Sequence, residues 1–488
     1  MTTTVPAHPA ETPTTFAPWR AEANARLLAA LPEHLGRARW DRPRIVAHQR
    51  TALRELLDHA RRHSPFHARR LAGIDLASVE PTDLSALPVM TKTDLMAHFD
   101  EILTDRRVTR EAAEAALAAT GGEPIPMPGG HVALTSGGSS GQRGVFVLDT
   151  DAIVQFVASL TRGLAARIAA LGGPPPGGLP VAIVAAGSAA HPTGLAAPMT
   201  AAGELPFRYL PVPATLPVPE MVDRLNALRP PMLYGYPSLL ARLADEQRAG
   251  RLDIAPVAVT STSETLTDEL RATIRRGLGA PIVDSFGSTE GLVGASGPDE
   301  DVITFAEDGC IVELVDRDHR PVPPGTPSAR VLLTVLTNRA QPLVRYELTD
   351  SLVAAAPAAE HGYLRARVHG RCDDVFTYGA TSIHPFVLRA VLARTPQVTE
   401  YQVRQTPRGV DLDVVEAREA GAGPALDPAD LRDRIARALT AAGLSDPLVV
   451  VHPVPALARH PLTGKLRRFV PLDPAGPDAA DQLAGPRR

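Results

Sequence analysis

The sequence predicts an α/β protein: a large, multi-layer N-terminal domain with a β-rich section, and a small α+β C-terminal domain. Three observations predict it. Apolar strand-like runs alternate with helix-patterned runs between residues 131 and 291, the rhythm of a sheet with ligand loops at its strand ends. After about Ile303 the pattern turns to short strands and turns. After GRCDD, residues 370–374, it changes again to a hairpin, a helix and a strand. With 488 residues the chain is also too long for one ordinary core.

Taken in order, residues 1–15 are rich in Thr, Pro and Ala and read as a disordered tail, as do residues 473–488. From Ala47 to Leu71, apolar residues recur at helical spacing with arginines opposite. MTKTDLMAHF reads as a helix start capped by Thr91 or Thr93. Residues 131–148 read strand, Gly/Ser turn, strand, and a helix runs from about Asp151 to Leu171. LPVAIVAAG and MLYGY read as buried strands, SLLARLADEQRAG as a helix ended by Gly250. VAVTSTSE, a helix, and PIVDSFGSTEG repeat the rhythm. CIVELVD, the PVPPG turn and ARVLLTVLTN form the β-rich section, so the large domain is expected over 16–372. The small domain, 373–472, holds the hairpin VTEYQVRQTPRGVDLDVVEA, a capped helix ending at Gly443, and the strand PLVVVHPV.

Composition narrows the class of function. A net charge of −4 and 4% aromatics speak against nucleic acid as partner. The most apolar stretch, Leu179 to Gly203, is broken by Gly, Pro and His191, so no membrane span is expected. Two distant cysteines, Cys310 and Cys372, make neither a disulfide framework nor a four-thiolate site, and the N-terminus has no signal-peptide pattern; a cytoplasmic enzyme is expected. Lysine occurs only at Lys92 and Lys465 among many arginines. A lysine in such a chain is a candidate for work that needs a compact point charge. Lys92, at a helix start, reads as a surface residue.

Five segments carry chemistry. LTSGGSSGQRG, residues 134–144, is a small-residue turn between strands whose N–H groups and hydroxyls could cradle a polyphosphate, though it lacks the Gly-Lys-Ser/Thr of a Walker loop. SFGSTEG, residues 285–291, offers an aromatic for a base, hydroxyls for phosphate, and Glu290 as a hard oxygen ligand for Mg²⁺. RYELTD ends on Asp350, a carboxylate suited to ribose hydroxyls. GRCDD lies at the compositional boundary, and HPLTGKLRR carries Lys465. Each alone is also compatible with a solvent loop, a turn or a basic tail, and for the last three segments that plain reading is the stronger one.

Together, in this order and spacing, they resemble the adenylate-forming superfamily of acyl-CoA synthetases, adenylation domains and luciferases. The similarity is to the phenylacetate–CoA ligase-like branch, through LLDHARRHSPFHARRL, LPVMTKTDL, LYGYPSLL and PLVRYELTD, and it runs from about residue 45 to 470. The resemblance implies an ATP- and Mg²⁺-dependent ligase that joins an acid to AMP, releases pyrophosphate, and passes the acyl group to a nucleophile. It implies that Thr135, Ser136, Gly137, Ser139, Ser140 and Gly141 form the phosphate loop with Arg143 beside them. Ser263, Glu264, Ser285, Phe286 and Gly287 are then expected along the nucleotide, Thr289 on phosphate and Glu290 on the metal. Asp350 is implied as the ribose clamp with Arg371 next to it, and Lys465 as the catalytic lysine. Asp373 matches the hinge about which a mobile small domain swings.

There are departures from the family pattern. The phosphate loop has the extra glycine pair Gly137-Gly138, and Gly144 stands where a terminal lysine is usual, so pyrophosphate-facing charge is expected from Arg143 or elsewhere. The region before GRCDD has no cysteine, so no structural zinc is expected. His191, Tyr236, Gly287 and Gly291 are candidates for the acid pocket, and the small residues Gly187 to Ala190 leave room for an aryl acid. Equally, His191 could be a satisfied loop residue and Tyr236 core. The acceptor could be CoA, a carrier-protein thiol or an amine; nitrite could be the acid; a non-catalytic nucleotide-binding module is the competing class. A monomer or homodimer is expected.

Overall fold

The computed structural model describes residues 15–136, 143–170, 172–371, 374–379, 381–392, 394–395, 397–416, 425–461 and 463–472. The expectations placed on residues 1–14 and 473–488, on Gly137 to Gly141 and on Cys372 and Asp373 lie outside these residues.

A mixed nine-stranded sheet is the backbone of the larger part. Five neighbouring strands are parallel: Phe207–Pro211, Leu179–Val184, Met232–Gly235, Ala258–Thr262 and Ile282–Gly287. The sheet continues antiparallel through Val293–Ser296, Ile303–Phe305, Arg365–Arg371 and Asp350–Ala354. The parallel strands are buried apolar runs, as expected for strands joined by helical crossovers. A hairpin of Val132–Thr135 with Val145–Leu148 and a three-stranded sheet of Cys310–Val315, Arg330–Val335 and Tyr346–Leu348 complete this part. Its main apolar core runs from Phe16 to Ala366, with a smaller cluster from Leu53 to Val344 beside the first helices.

A second core, from Phe376 to Phe469, belongs to the C-terminal segment. Its four-stranded sheet is ordered Leu448–Pro453, Gly409–Glu416, Val398–Thr406, Phe469–Val470, with helix Pro428–Ala441 packed on it through Leu431, Ile435 and Leu439.

Local chemistry explains where elements begin and end. Thr91 forms a full capping box with Asp94, an arrangement that stabilises a helix start by about 1 kcal/mol. The run of helical spacing from Ala47 to Leu71 falls on two helices, Arg42–His63 and Pro65–Arg70. Pro65 cannot donate to the preceding turn, so the chain breaks at Ser64, whose hydroxyl caps the second helix. The sequence reading also passed over the helix Phe16–Arg37, which buries Trp19.

Candidate active site

Loops at the carboxyl ends of the parallel strands converge on one cleft of about 2500 Å³. Ser263 and Glu264 follow strand Ala258–Thr262; Ser288, Thr289 and Glu290 follow strand Ile282–Gly287; all line the cleft with Ser285, Phe286 and Gly287. Ser263 sits at φ +66°, a left-handed turn that redirects the chain so the next residue points inward. The opposite wall comes from the antiparallel end of the sheet. There the register sets Asp350 directly across from Arg371, and the Arg371 guanidinium donates to Thr349 Oγ1 at 2.9 Å. Lys465 enters from the C-terminal unit.

Electrostatics tie these groups together. Glu290 sits deep in the cleft, crowded by protein, and desolvation raises its carboxyl above the ordinary range; its own backbone N–H, Lys92 and Arg371 oppose that rise, and Asp350 adds to it. Desolvation also pushes the Lys465 ammonium below the ordinary lysine range, with Arg371 acting in the same direction and Glu264 and Glu290 against it. Lys465 Nζ lies 5.7 Å from the centroid of the Tyr236 ring. Phe286 is half-buried and meets Phe305 edge-on at 5.4 Å, which steadies a ring face at the cleft wall.

Some expected residues stand elsewhere. Thr135 is buried; its hydroxyl donates to Gly144 O and receives Arg143 Nε at 2.8 Å. Ser136 lines the cleft and accepts the Gly144 N–H at 3.0 Å. The Arg143 guanidinium pairs with Glu114 at 3.2 Å. Lys92, read from the sequence as a surface residue, lines the cleft instead, on the side of Glu290. The two lysines of the chain therefore act on the same carboxylate. Glu264 accepts the backbone N–H groups of Ser238 and Leu466 through its two oxygens.

Around the expected acid pocket, Tyr236 is fully buried and its hydroxyl accepts the Ala186 N–H at 2.9 Å. His191 Nδ1 faces Thr135 O at 3.1 Å, and burial holds its pKa below the usual imidazole value. Gly291 lines a separate void of about 20 Å³ beside Val335, not the cleft. The sequence reading missed Asp284, which lines the cleft, receives the Ser261 hydroxyl, and is pushed up to about 6 by desolvation. An acidic residue two before an aromatic in an apolar strand was the available signal.

No family model matches the chain. It is 26% identical over 395 residues to a phenylacetate–coenzyme A ligase of Thermus thermophilus, spanning 77% of this chain and 81% of that protein. It superposes on a 2-hydroxyisobutyryl-CoA ligase in the postadenylation state with a TM-score of 0.64 at 20% identity, covering 89% of this chain and 91% of the other. In sequence and in fold the chain is similar to acyl-CoA ligases. The same ligase in its thioesterification state gives a TM-score of 0.52 at 19% identity, over 91% and 93% of the two chains. The structural likenesses are of fold; within that fold, the cleft described above lies where strand ends and the C-terminal unit meet.

Proposed function

We propose that the protein uses ATP to activate a carboxylic acid as its acyl-adenylate, releasing pyrophosphate, and then transfers the acyl group to CoA or another nucleophile. The observation that carries this reading is the convergence of Lys465, Glu290, Asp350 and Arg371 on one cleft from distant segments of the chain. In the reaction a carboxylate oxygen forms a bond to the α-phosphorus and the bond to pyrophosphate breaks. Negative charge is held on phosphate oxygens throughout, so positioned cations and excluded water do most of the catalytic work.

The residues present suit these roles. The half-buried face of Phe286 takes the adenine ring and Asp350 the ribose hydroxyls. Lys465 and Arg371 meet the reacting phosphate, and Lys92 supplies positive charge on the Glu290 side, where Arg143 is engaged with Glu114. Glu290, crowded and beside Asp350, offers the hard oxygen that Mg²⁺ prefers, its other ligands coming from phosphate and water. Such an ion, when bound, neutralises phosphate charge and would favour the ionised form of Glu290. Thr289 lies next to it for a phosphate oxygen. The small residues before His191, with Tyr236 beneath Lys465, suit an aryl acid. A swing of the C-terminal unit about residue 373 would withdraw Lys465 between the two half-reactions.

A pyrophosphate-release screen with MgATP over aryl, aliphatic and inorganic acids, with hydroxylamine to trap the adenylate, tests the reading. Acid-dependent release is the expected result; no release from any class would leave a nucleotide-binding module in its place. Adding CoA, holo-carrier protein or amines to preformed adenylate then identifies the acceptor, and release with nitrite would point to diazotisation.

A further inference from the structure

The loop that presents Lys465 is tied to the large part of the molecule by a set of buried polar contacts that the chemistry itself does not require. Arg459, six residues before Lys465, donates from Nη1 to Ser238 Oγ at 2.9 Å and to Gly464 O at 3.3 Å, and from Nη2 to Glu400 Oε1 at 2.6 Å. Ser238 lies in the first turn of helix Pro237–Arg248, whose preceding residue is Tyr236. Glu400 is on strand Val398–Thr406 of the C-terminal sheet. One guanidinium therefore bridges both cores. Glu264 completes the set: Oε1 receives Leu466 N–H at 2.9 Å, Oε2 receives Ser238 N–H at 3.2 Å, and Arg459 lies 4.0 Å away.

The groups are sheltered. The side chains of Glu264 and Glu400 are 8% exposed and that of Arg459 13%. A fork-shaped guanidinium serves here because it donates in several fixed directions at once, which an ammonium does not. The backbone fits the same purpose. Gly464, at φ +69°, lies so close to Ala214 that a Cβ would come within 2.6 Å of the alanine Cβ and 2.7 Å of its carbonyl oxygen. The loop thus reaches the large part only with a glycine beside Lys465.

We infer that Arg459 and Glu264 are positioning residues that clasp the segment 463–466 against the large part and so set Lys465 over Tyr236 in the cleft. Glu264 acts through the Leu466 amide, one residue beyond Lys465, and Arg459 acts through Ser238 and Gly464, one residue before it. The clasp brackets the lysine on both sides.

Hydrogen exchange by the full-length, ligand-free protein tests this. In Arg459→Ala and in Glu264→Ala, the amides of 464–466 exchange roughly ten- to hundredfold faster than in the wild type, the range expected for losing hydrogen bonds to charged groups. Protection in the 398–416 hairpin and the 258–287 strands stays unchanged. Glu264→Gln keeps an acceptor for Leu466 N–H and shows a smaller effect. Wild-type exchange at 464–466 in both alanine variants, or faster exchange everywhere, would overturn the clasp; Gly464→Ala, which crowds Ala214 without removing a charge, serves as the second variant if either alanine variant fails to fold. The consequence for turnover rests on the proposed acid activation: kcat for adenylate formation falls in Arg459→Ala while KM for ATP and transfer from supplied adenylate hold. The exchange result needs no substrate, so its failure and the failure of the functional reading are separable.

Discussion

The Lys465 ammonium rests over the ring of Tyr236, 5.7 Å from its centroid, and the Tyr236 hydroxyl beneath it accepts the Ala186 amide at 2.9 Å. A cation from the C-terminal unit is thus seated on a fully buried aromatic of the large part. The arrangement suits a reaction in which the charge is needed at one step, and it has a cost in the resting protein.

That cost is measurable. Burial lowers the Lys465 pKa from the ordinary 10.5, so the folded protein disfavours the charged form relative to the unfolded chain. The penalty is present at pH values below the lowered folded pKa and fades as pH rises toward 10.5, because the unfolded chain then loses its proton as well. Lys465→Met is therefore expected to raise the Tm of the ligand-free protein at pH 7, with the gain shrinking near pH 10, while adenylate formation is lost. Thermal scans at the two pH values check it; an equal gain at both would contradict the stated cause.

Tyr236→Phe keeps the ring and removes the acceptor. The Ala186 N–H is then left without its partner in a buried position, which costs about 1–3 kcal/mol. Urea unfolding measures the loss, and wild-type stability in this variant would mean that water replaces the hydroxyl.

His67 is one of the groups that make the fold sensitive to acid. It is buried, with Nε2 donating to Pro342 O at 3.0 Å, and desolvation with nearby Arg70 pushes its pKa down to about 4. The unfolded chain takes up this proton first, so stability from this residue declines as pH falls from 6.5 to about 4 and levels below. The shift corresponds to about 3 kcal/mol. In His67→Gln the stability–pH curve should be flatter across that window, as read from urea midpoints; an unchanged slope would assign the acid sensitivity elsewhere.

Two glycines in helices should respond in opposite directions. Gly277 is where helix Asp268–Leu278 crosses helix Pro237–Arg248, and a Cβ there would meet the Ala244 carbonyl and come within 2.6 Å of its Cβ. Gly277→Ala is expected to destabilise by about 1–3 kcal/mol through overpacking. Gly163, in helix Thr150–Ala170, has open space at its Cβ, so Gly163→Ala should stabilise by about 0.5–1 kcal/mol. Opposite signs in Tm are the result that matters.

Much of this protein was legible in its residues. The period of apolar residues marked the parallel strands, and the capping signal at Thr91 held. Glu290, Asp350, Arg371 and Lys465 are marked in the sequence by chemistry and resemblance, and all four line one cleft. Lys92 is not, for all the rarity of lysine in this chain, because a helix start carries no information about what lies across from it.

The amino-acid sequence by itself determined the elements, since strand and helix periods, caps and prolines act over a few neighbouring residues. Only the tertiary structure decided that strands Asp350–Ala354 and Arg365–Arg371 extend the same sheet as Ile282–Gly287, and so bring Asp350 and Glu290 together. Only it turned Glu264 toward Leu466 and set Arg459 between Ser238 and Glu400. Those are choices of partner between groups far apart in the chain, made by burial and by the need of each buried charge for an opposite one, and no local pattern encodes them.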